Sequence, residues 1–151
     1  MIIKSNLNNF WEERSRKYKT DLKGVLPKFL PYPLLDYLDD WMYSQIKKVL
    51  IDGQKLKILD LGCGYGRLAL KIAKDYPKVK ITGVDISQKY VDLFNSSIGK
   101  QGRSIKGDIR NLPFPDDYFD VIIVVTTLMY MLNDQDQAQA LKEIFRVLNK
   151  N

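Results

Sequence analysis

A glycine-rich turn at the end of a predicted buried strand that carries a carboxylate is the part of this sequence best suited to chemistry. The short apolar run at 58–61 predicts a central parallel strand, and Asp60 lies within it. The turn that follows contains Gly62, Cys63, Gly64 and Gly66. Its glycines let the backbone turn sharply and approach a ligand, and the helix expected after the turn would offer free N–H groups. The sequence therefore predicts a ligand site at the carboxyl end of this strand.

Two adenosine cofactors bind at turns of this kind, and spacing and charge distinguish them. A dinucleotide-binding turn has glycine or alanine three residues after its second glycine, where this chain has Arg67. Asp60 would repel a pyrophosphate, whereas it would attract the amino group of a methionine moiety. We therefore expect S-adenosyl-L-methionine rather than NAD. A purely local role for Asp60, as a cap or an ion-pair partner, is the alternative.

Two further carboxylates come directly after predicted strands. Asp85 ends the strand predicted at 79–84 and lies 19 residues after the last glycine of the turn, near the offset at which a carboxylate accepts hydrogen bonds from a ribose diol. Asp108 follows a short strand predicted at 103–106 and suits an adenine amine, with Ile109 beside it as an apolar surface. A helix cap for Asp85 and an ordinary turn for Asp108 are the alternatives.

Composition limits the class of protein and its compartment. The 151 residues, 45% hydrophobic and 28% charged, predict one globular domain with a real core. No apolar run is long enough to span a bilayer, and no signal sequence opens the chain, so we expect no membrane partner. The single cysteine favours a reducing, cytoplasmic compartment and cannot make a metal site alone. The net charge of +6 permits a nucleic acid, but such an excess is ordinary for soluble proteins.

The first 50 residues predict a helical extension beside the sheet. A helix near 8–18 places Trp11 and Tyr18 where they could share an apolar face and form a lid. A second helix from Pro33 carries apolar residues at helical spacing, and we expect that stripe to be core. The expected division is 1–50 for the extension and 51–151 for the cofactor-binding part, in one structural domain.

Four passages together resemble a class I S-adenosylmethionine-dependent methyltransferase of the small-molecule group. They are 58–66, 84–87, 107–109 with 112–114, and 119–122, and a helix predicted at 138–148 resembles the one that follows the fourth strand. The resemblance implies an α/β fold: a Rossmann-like parallel sheet in the order 3-2-1-4, helices on both faces and an N-terminal helical lid. It assigns cofactor binding to Asp60, Gly62, Cys63, Gly64, Gly66, Asp85, Ile86, Asp108, Ile109 and Thr126. The substrate or lid candidates are Trp11, Tyr18 and Tyr130.

Methyl transfer from a sulfonium needs alignment and desolvation more than proton transfer. Because histidine is absent, any base is Asp, Glu, Tyr or Lys, which favours amines, thiols, phenols, carboxylates or acidic carbons as acceptors. The expected function is in-line methyl transfer to a small molecule, with no catalytic residue assigned. The alternatives are a non-catalytic S-adenosylmethionine-binding or regulatory module and an RNA methyltransferase that uses the basic N-terminal arm.

The fourth predicted strand raises the question of what covers its outer edge. The family's sheet has further strands, whereas no fifth strand follows the predicted fourth one before Asn151. The run at 121–125 has no charge and no proline to protect an edge. We therefore expect this edge to be covered, either by a further C-terminal segment or by self-association.

Overall fold

The computed structural model describes residues 7–150, so residues 1–6 and Asn151 of the two expected segments lie outside the described part. Its strands are Lys57–Leu61 (β1), Lys80–Asp85 (β2), Gly102–Lys106 (β3) and Val121–Val124 (β4). Its α-helices are Leu7–Tyr18 (α1), Tyr32–Lys47 (α2), Arg67–Asp75 (α3), Gln88–Ser97 (α4) and Asp134–Val147 (α5). Single 3-10 turns occupy Leu22–Gly24, Gly99–Gln101 and Leu128–Tyr130. None of the helices within 7–150 has the length and apolar character needed to cross a membrane.

The four strands form one parallel sheet in the order β3-β2-β1-β4, which confirms the predicted order. β1 is central and is buried on both faces. Ile58 packs in a cluster with residues of α3 and α4, whereas Leu59 packs with residues of α5 on the opposite face. This double burial explains why Ile58, Leu59 and Leu61 are apolar, because a parallel strand that is covered on both sides favours apolar residues. Asp60, near the carboxyl end of β1, is the exception.

The turn that joins β1 to α3 requires a glycine, because no side chain fits at this position. Gly66 precedes the first residue of α3 and has φ +89, in the left-handed region. A Cβ atom at this position would lie 2.7 Å from the Phe94 ring of α4. Gly66 therefore allows both the turn and the close approach of α3 to α4. α3 begins at Arg67, directly after the glycine turn, where the sequence predicts a helix.

The start of α5 is the largest error in the predicted helices. The sequence predicts a helix from 138, whereas α5 begins at Asp134. The Asn133 side chain accepts a hydrogen bond from the backbone N–H of Asp136 at 2.7 Å, so Asn133 caps the helix one turn earlier. Two acidic residues in the first turn also suit the positive end of the helix dipole.

α2 buries less of its apolar stripe than the sequence predicts. Leu35 and Ile46 are buried, but Leu34 and Trp41 are 40% and 50% exposed. The buried positions include the charged Asp39, which lies at helical spacing from Leu35 and Ile46. Leu34 and Trp41 lie roughly 120–140° around the helix from the middle of that buried line, and the expectation that the whole stripe is core is wrong for them.

Among the described residues, pairing on the outer side of β4 occurs only just before the strand begins. The Phe119 N–H donates to the Val147 carbonyl at 3.0 Å, and the Asn149 N–H donates to the Phe119 carbonyl at 2.8 Å. Phe119 and Leu148 thus form a parallel bridge directly after α5. Within residues 7–150 no strand pairs with Val121–Val124 on that side. Coverage of this edge, by a further segment or by self-association, stays a prediction.

Candidate functional site

A cavity of about 450 Å³ lies where β1, β2, β3 and β4 end, at the edge where the sequence predicts a ligand. The predicted site residues that line it are Asp60, Gly62, Cys63, Gly64, Asp85, Ile86, Asp108, Ile109 and Thr126, with Trp11 and Tyr130. The structure therefore brings residues from four strand ends and from α1 to one place. The individual roles given to these residues stay predictions.

Two predicted site residues lie outside the cavity wall, namely Gly66 and Tyr18. Gly66 packs its backbone against Phe94, as described above. Tyr18 ends α1 and contacts Arg14, whose guanidinium carbon lies 5.7 Å from the centre of the tyrosine ring. Tyr18 thus belongs to the packing of the N-terminal helix and does not itself line the cavity.

Asp85 connects the glycine turn to the end of β2. The Gly64 N–H donates to Asp85 Oδ2 at 2.8 Å, and the Ser87 N–H donates to Asp85 Oδ1 at 2.9 Å. Burial raises the pKa of Asp85 to about 6, although these backbone N–H groups oppose the shift. Each carboxylate oxygen can accept a further hydrogen bond, so an ionised Asp85 suits two neighbouring hydroxyls of a ribose.

Asp60 is a buried carboxylate without a hydrogen-bond partner among the described residues. It is 4% exposed and lines the cavity, and the structure gives its side chain no hydrogen bond from any residue in 7–150. Burial raises the pKa of Asp60 to about 7, with the charge of Arg67 opposing the shift and that of Asp85 adding to it. A cationic ligand group would relieve the cost of this burial, because a buried charge is stable only when it is paired. Asp60 thus fits the amino group of a methionine moiety.

Asp108 is held by Arg110, a cation to which the sequence analysis gave no role. Arg110 Nε donates to Asp108 Oδ1 at 2.9 Å, and Arg110 Nη1 lies 2.8 Å from Asp136 Oδ1 at the start of α5. The hydrogen bond from Arg110 lowers the pKa of Asp108, so its carboxylate stays charged. An adenine amine at Asp108 would share this carboxylate with Arg110. No local pattern predicts the pair of Arg110 and Asp136, because the two residues lie far apart in the sequence.

The loop after β4 and the N-terminal helix close the other side of the cavity. Thr126 has φ +58, a conformation that costs a residue with a branched side chain about 1–2 kcal/mol. The next residue, Thr127, fixes the loop because its hydroxyl donates to the Leu61 carbonyl at 2.9 Å. The rings of Trp11 and Tyr130 meet edge to face, with centroids 4.8 Å apart. α1 therefore contacts the β4 loop across the mouth of the site.

Polar contacts hold α1 in this position. Glu12 Oε2 accepts a hydrogen bond from the Ser87 hydroxyl at 2.8 Å, next to the start of α4. Arg14 donates to the carbonyls of Lys23, Gly24 and Leu26 at 2.7–2.8 Å. These contacts fasten α1 to the core, beside Asp85.

Arg67 also lines the cavity, and sequence reasoning did not assign it a role. The available signal was its position, since it is the first helical residue after the glycine turn. In the sequence, Arg67 showed only that the glycine spacing differs from that of a dinucleotide-binding turn. The residue that pairs with it, Asp39, lies on α2 and could not be identified from local sequence.

Comparisons with known proteins find methyltransferases among the similar sequences and folds. Residues 58–151 match a protein-family model described as "Methyltransferase domain". A demethylmenaquinone methyltransferase of Thermotoga maritima is 32% identical over 113 residues, which are 75% of this chain and 48% of that protein. The chain spans about half the length of the curated relatives it matches.

Two solved structures are similar in fold. The [4+2]-cyclase SpnF gives a TM-score of 0.65 at 30% identity, covering 76% of this chain and 41% of that chain. A TehB-like SAM-dependent methyltransferase from Corynebacterium glutamicum gives a TM-score of 0.61 at 25% identity, covering 72% of this chain and 56% of that chain.

Proposed function

The chain belongs to the family of class I S-adenosylmethionine-dependent methyltransferases, and we propose that it transfers a methyl group to a small, apolar acceptor with a planar ring. The main observation behind the proposal is that one cavity has an acidic part and an aromatic part. Asp60 and Asp85 make one part acidic, whereas Trp11 and Tyr130 make another part aromatic. The name of the Thermotoga maritima relative, a demethylmenaquinone methyltransferase, supports a ring-shaped acceptor.

The acidic part of the cavity fits the cofactor group by group. Asp85 would accept hydrogen bonds from the ribose hydroxyls, and Asp60 would pair with the ammonium group. Asp108 and Ile109 would face the adenine ring, with Ile109 as its apolar contact. Gly62 and Gly64, both at positive φ, let the backbone lie close to the cofactor.

The protein's part in the transfer is to align the two reactants and exclude water. S-adenosylmethionine, when bound, would supply a methyl group on a positively charged sulfur, and its transfer to an acceptor atom would leave S-adenosylhomocysteine. Trp11 and Tyr130 would hold the acceptor ring opposite the acidic wall and cover it from solvent. Because the chain contains no histidine, an acceptor with an acidic hydroxyl or an acidic carbon suits this site.

Replacing Trp11 with leucine tests the aromatic wall. We expect Trp11→Leu to weaken the binding of a hydroxynaphthoquinone, measured with S-adenosylhomocysteine present, by about tenfold, because the ring loses an edge-to-face partner and apolar contact. The affinity for S-adenosylhomocysteine itself should change much less. Calorimetric titration of both ligands measures the two effects on one sample.

Tyr118→Leu is the matched control for this experiment, because Tyr118 is also a partly exposed aromatic residue but lies outside the cavity. It should leave both affinities unchanged. Mass spectrometry of the acceptor after incubation with S-adenosylmethionine then tests transfer. Methylation of polar amines alone, with no product from ring acceptors, would contradict the proposed acceptor class.

A further inference from the structure

Glu12 follows Trp11 in α1, and its side chain contacts the start of α4. Glu12 Oε2 accepts a hydrogen bond from the Ser87 hydroxyl at 2.8 Å and another from the Lys89 N–H at 3.3 Å. Ser87 and Ser15 of α1 are both fully buried, and their hydroxyl oxygens lie 3.0 Å apart. α1 therefore meets α4 through a small polar cluster that begins one residue after the aromatic part of the cavity.

Ser87 contacts two carboxylates from different parts of the fold. Its backbone N–H donates to Asp85 Oδ1 at 2.9 Å, whereas its hydroxyl donates to Glu12. Although burial alone would raise the pKa of Glu12, the hydrogen bonds from Ser87 and Lys89 lower it, so this carboxylate is charged at neutral pH. Burial raises the pKa of Asp85, and the negative charge of Glu12 adds to that shift. The two carboxylates therefore repel each other across Ser87. Arg16 lies 3.4 Å from Glu12 Oε1, but its side chain is 72% exposed and offsets little of this repulsion.

We infer that Glu12 is a positioning residue whose charge makes the placement of Trp11 depend on the ligand at Asp85. The inference rests on the proposed cofactor. Without a ligand at Asp85, the repulsion between the two carboxylates opposes the contact of α1 with α4. Ribose hydroxyls that donate to Asp85 would stabilise its charge and weaken that repulsion. Cofactor binding therefore favours the position of α1 in which Trp11 lines the cavity, and by linkage a ring acceptor and the cofactor strengthen each other's binding.

A purely structural role of Glu12 predicts something different. Glu12→Gln keeps the shape of the side chain and an oxygen that accepts from Ser87, but it removes the charge. If the charge couples the two parts of the cavity, this variant holds α1 in place whether or not the cofactor is bound. If Glu12 only fastened α1 to α4, the neutral and weaker hydrogen bond would loosen α1, and the cofactor would affect α1 as it does in the wild type.

The test is amide hydrogen exchange of residues 13–18, the half of α1 that does not line the cavity, with and without saturating S-adenosylhomocysteine. In the wild type, we expect the ligand to slow this exchange by about fivefold or more. In Glu12→Gln, exchange should already be slow without the ligand, and the ligand should change it by about twofold or less. Glu13→Gln is the matched control, because Glu13 is exposed on α1 and lies outside the cavity, and it should behave like the wild type.

Equal slowing by the ligand in Glu12→Gln and the wild type would overturn the inference, and so would a wild type that binds S-adenosylhomocysteine without slower exchange at 13–18. The wild type also gives a measurement that needs no variant. A hydroxynaphthoquinone should bind about fivefold more tightly with S-adenosylhomocysteine present than without it, and equal affinities would overturn the coupling. Calorimetric titration of the same samples shows whether S-adenosylhomocysteine binds at all. A wild type that does not bind it would overturn the proposed cofactor instead, so the two failures are distinguishable.

Discussion

Asparagine in place of Asp60 is expected to weaken the binding of S-adenosylmethionine by about ten- to a hundredfold and, at the same time, to stabilise the ligand-free protein. The affinity falls because the ammonium group loses a charged acceptor in a buried site, an interaction of about 1.5–3 kcal/mol. The amide keeps the shape of the carboxylate, so the cavity changes little. Calorimetric titration measures the affinity at pH 8, where Asp60 is ionised.

The stability gain follows from the direction of the Asp60 pKa shift. Burial raises the pKa of Asp60 from 3.8 to about 7, so the folded protein holds this proton more tightly than the unfolded chain does. The contribution of Asp60 to stability therefore falls as the pH rises from 3.8 to about 7, and it stays low above that range. Asp60→Asn removes this penalty, and its melting temperature should exceed that of the wild type above neutral pH.

Asp36→Asn is the control for charge alone, because Asp36 is exposed on α2 and lies outside the cavity. It removes the same charge and should change neither affinity nor melting temperature by much. An Asp60→Asn variant that binds the cofactor as tightly as the wild type would contradict the role given to Asp60. In the wild type, affinity should also rise with pH through about 7 as Asp60 ionises.

Alanine in place of Gly62 is expected to destabilise the protein by about 3 kcal/mol. Gly62 has φ +72, and a Cβ atom there would lie 2.7 Å from Cγ2 of Thr127. The left-handed backbone costs an alanine about 1–2 kcal/mol, and the overlap adds about 1–3 kcal/mol. The overlap would also disturb the hydrogen bond from Thr127 to the Leu61 carbonyl, on which the loop after β4 depends. Urea-induced unfolding measures the loss.

Gly53→Ala separates the cost of the left-handed backbone from the cost of the overlap. Gly53 has φ +81, but no atom lies within 4 Å of the added Cβ. Gly53→Ala should destabilise the protein only through the left-handed backbone conformation, by about 1 kcal/mol. Equal losses in the two variants would show that the packing of Gly62 against Thr127 does not matter. A larger loss at Gly62, with weaker cofactor binding, is the expected result.

The sequence predicts the sheet, the glycine turn and Asp85 because all three depend on short-range patterns. The apolar run of β1 and the glycines after it lie within one segment, and Asp85 follows from a fixed offset. The ion pair of Arg67 and Asp39 could not be predicted in this way, since it forms only when α2 packs beside α3. The exposure of Trp41 is a similar case, because the helical spacing of α2 does not show which face the core covers.

The fold itself does not decide the reaction, since one similar structure is named as a cyclase. The proposed function therefore depends on cofactor recognition by Asp60, Asp85 and the glycine turn, which meet at the cavity. The most direct measurement is calorimetric titration of the chain with S-adenosylhomocysteine and, separately, with NADH. We predict that S-adenosylhomocysteine binds at micromolar strength or better and that NADH shows no comparable binding. A preference for NADH, or no binding of S-adenosylhomocysteine, would contradict the account.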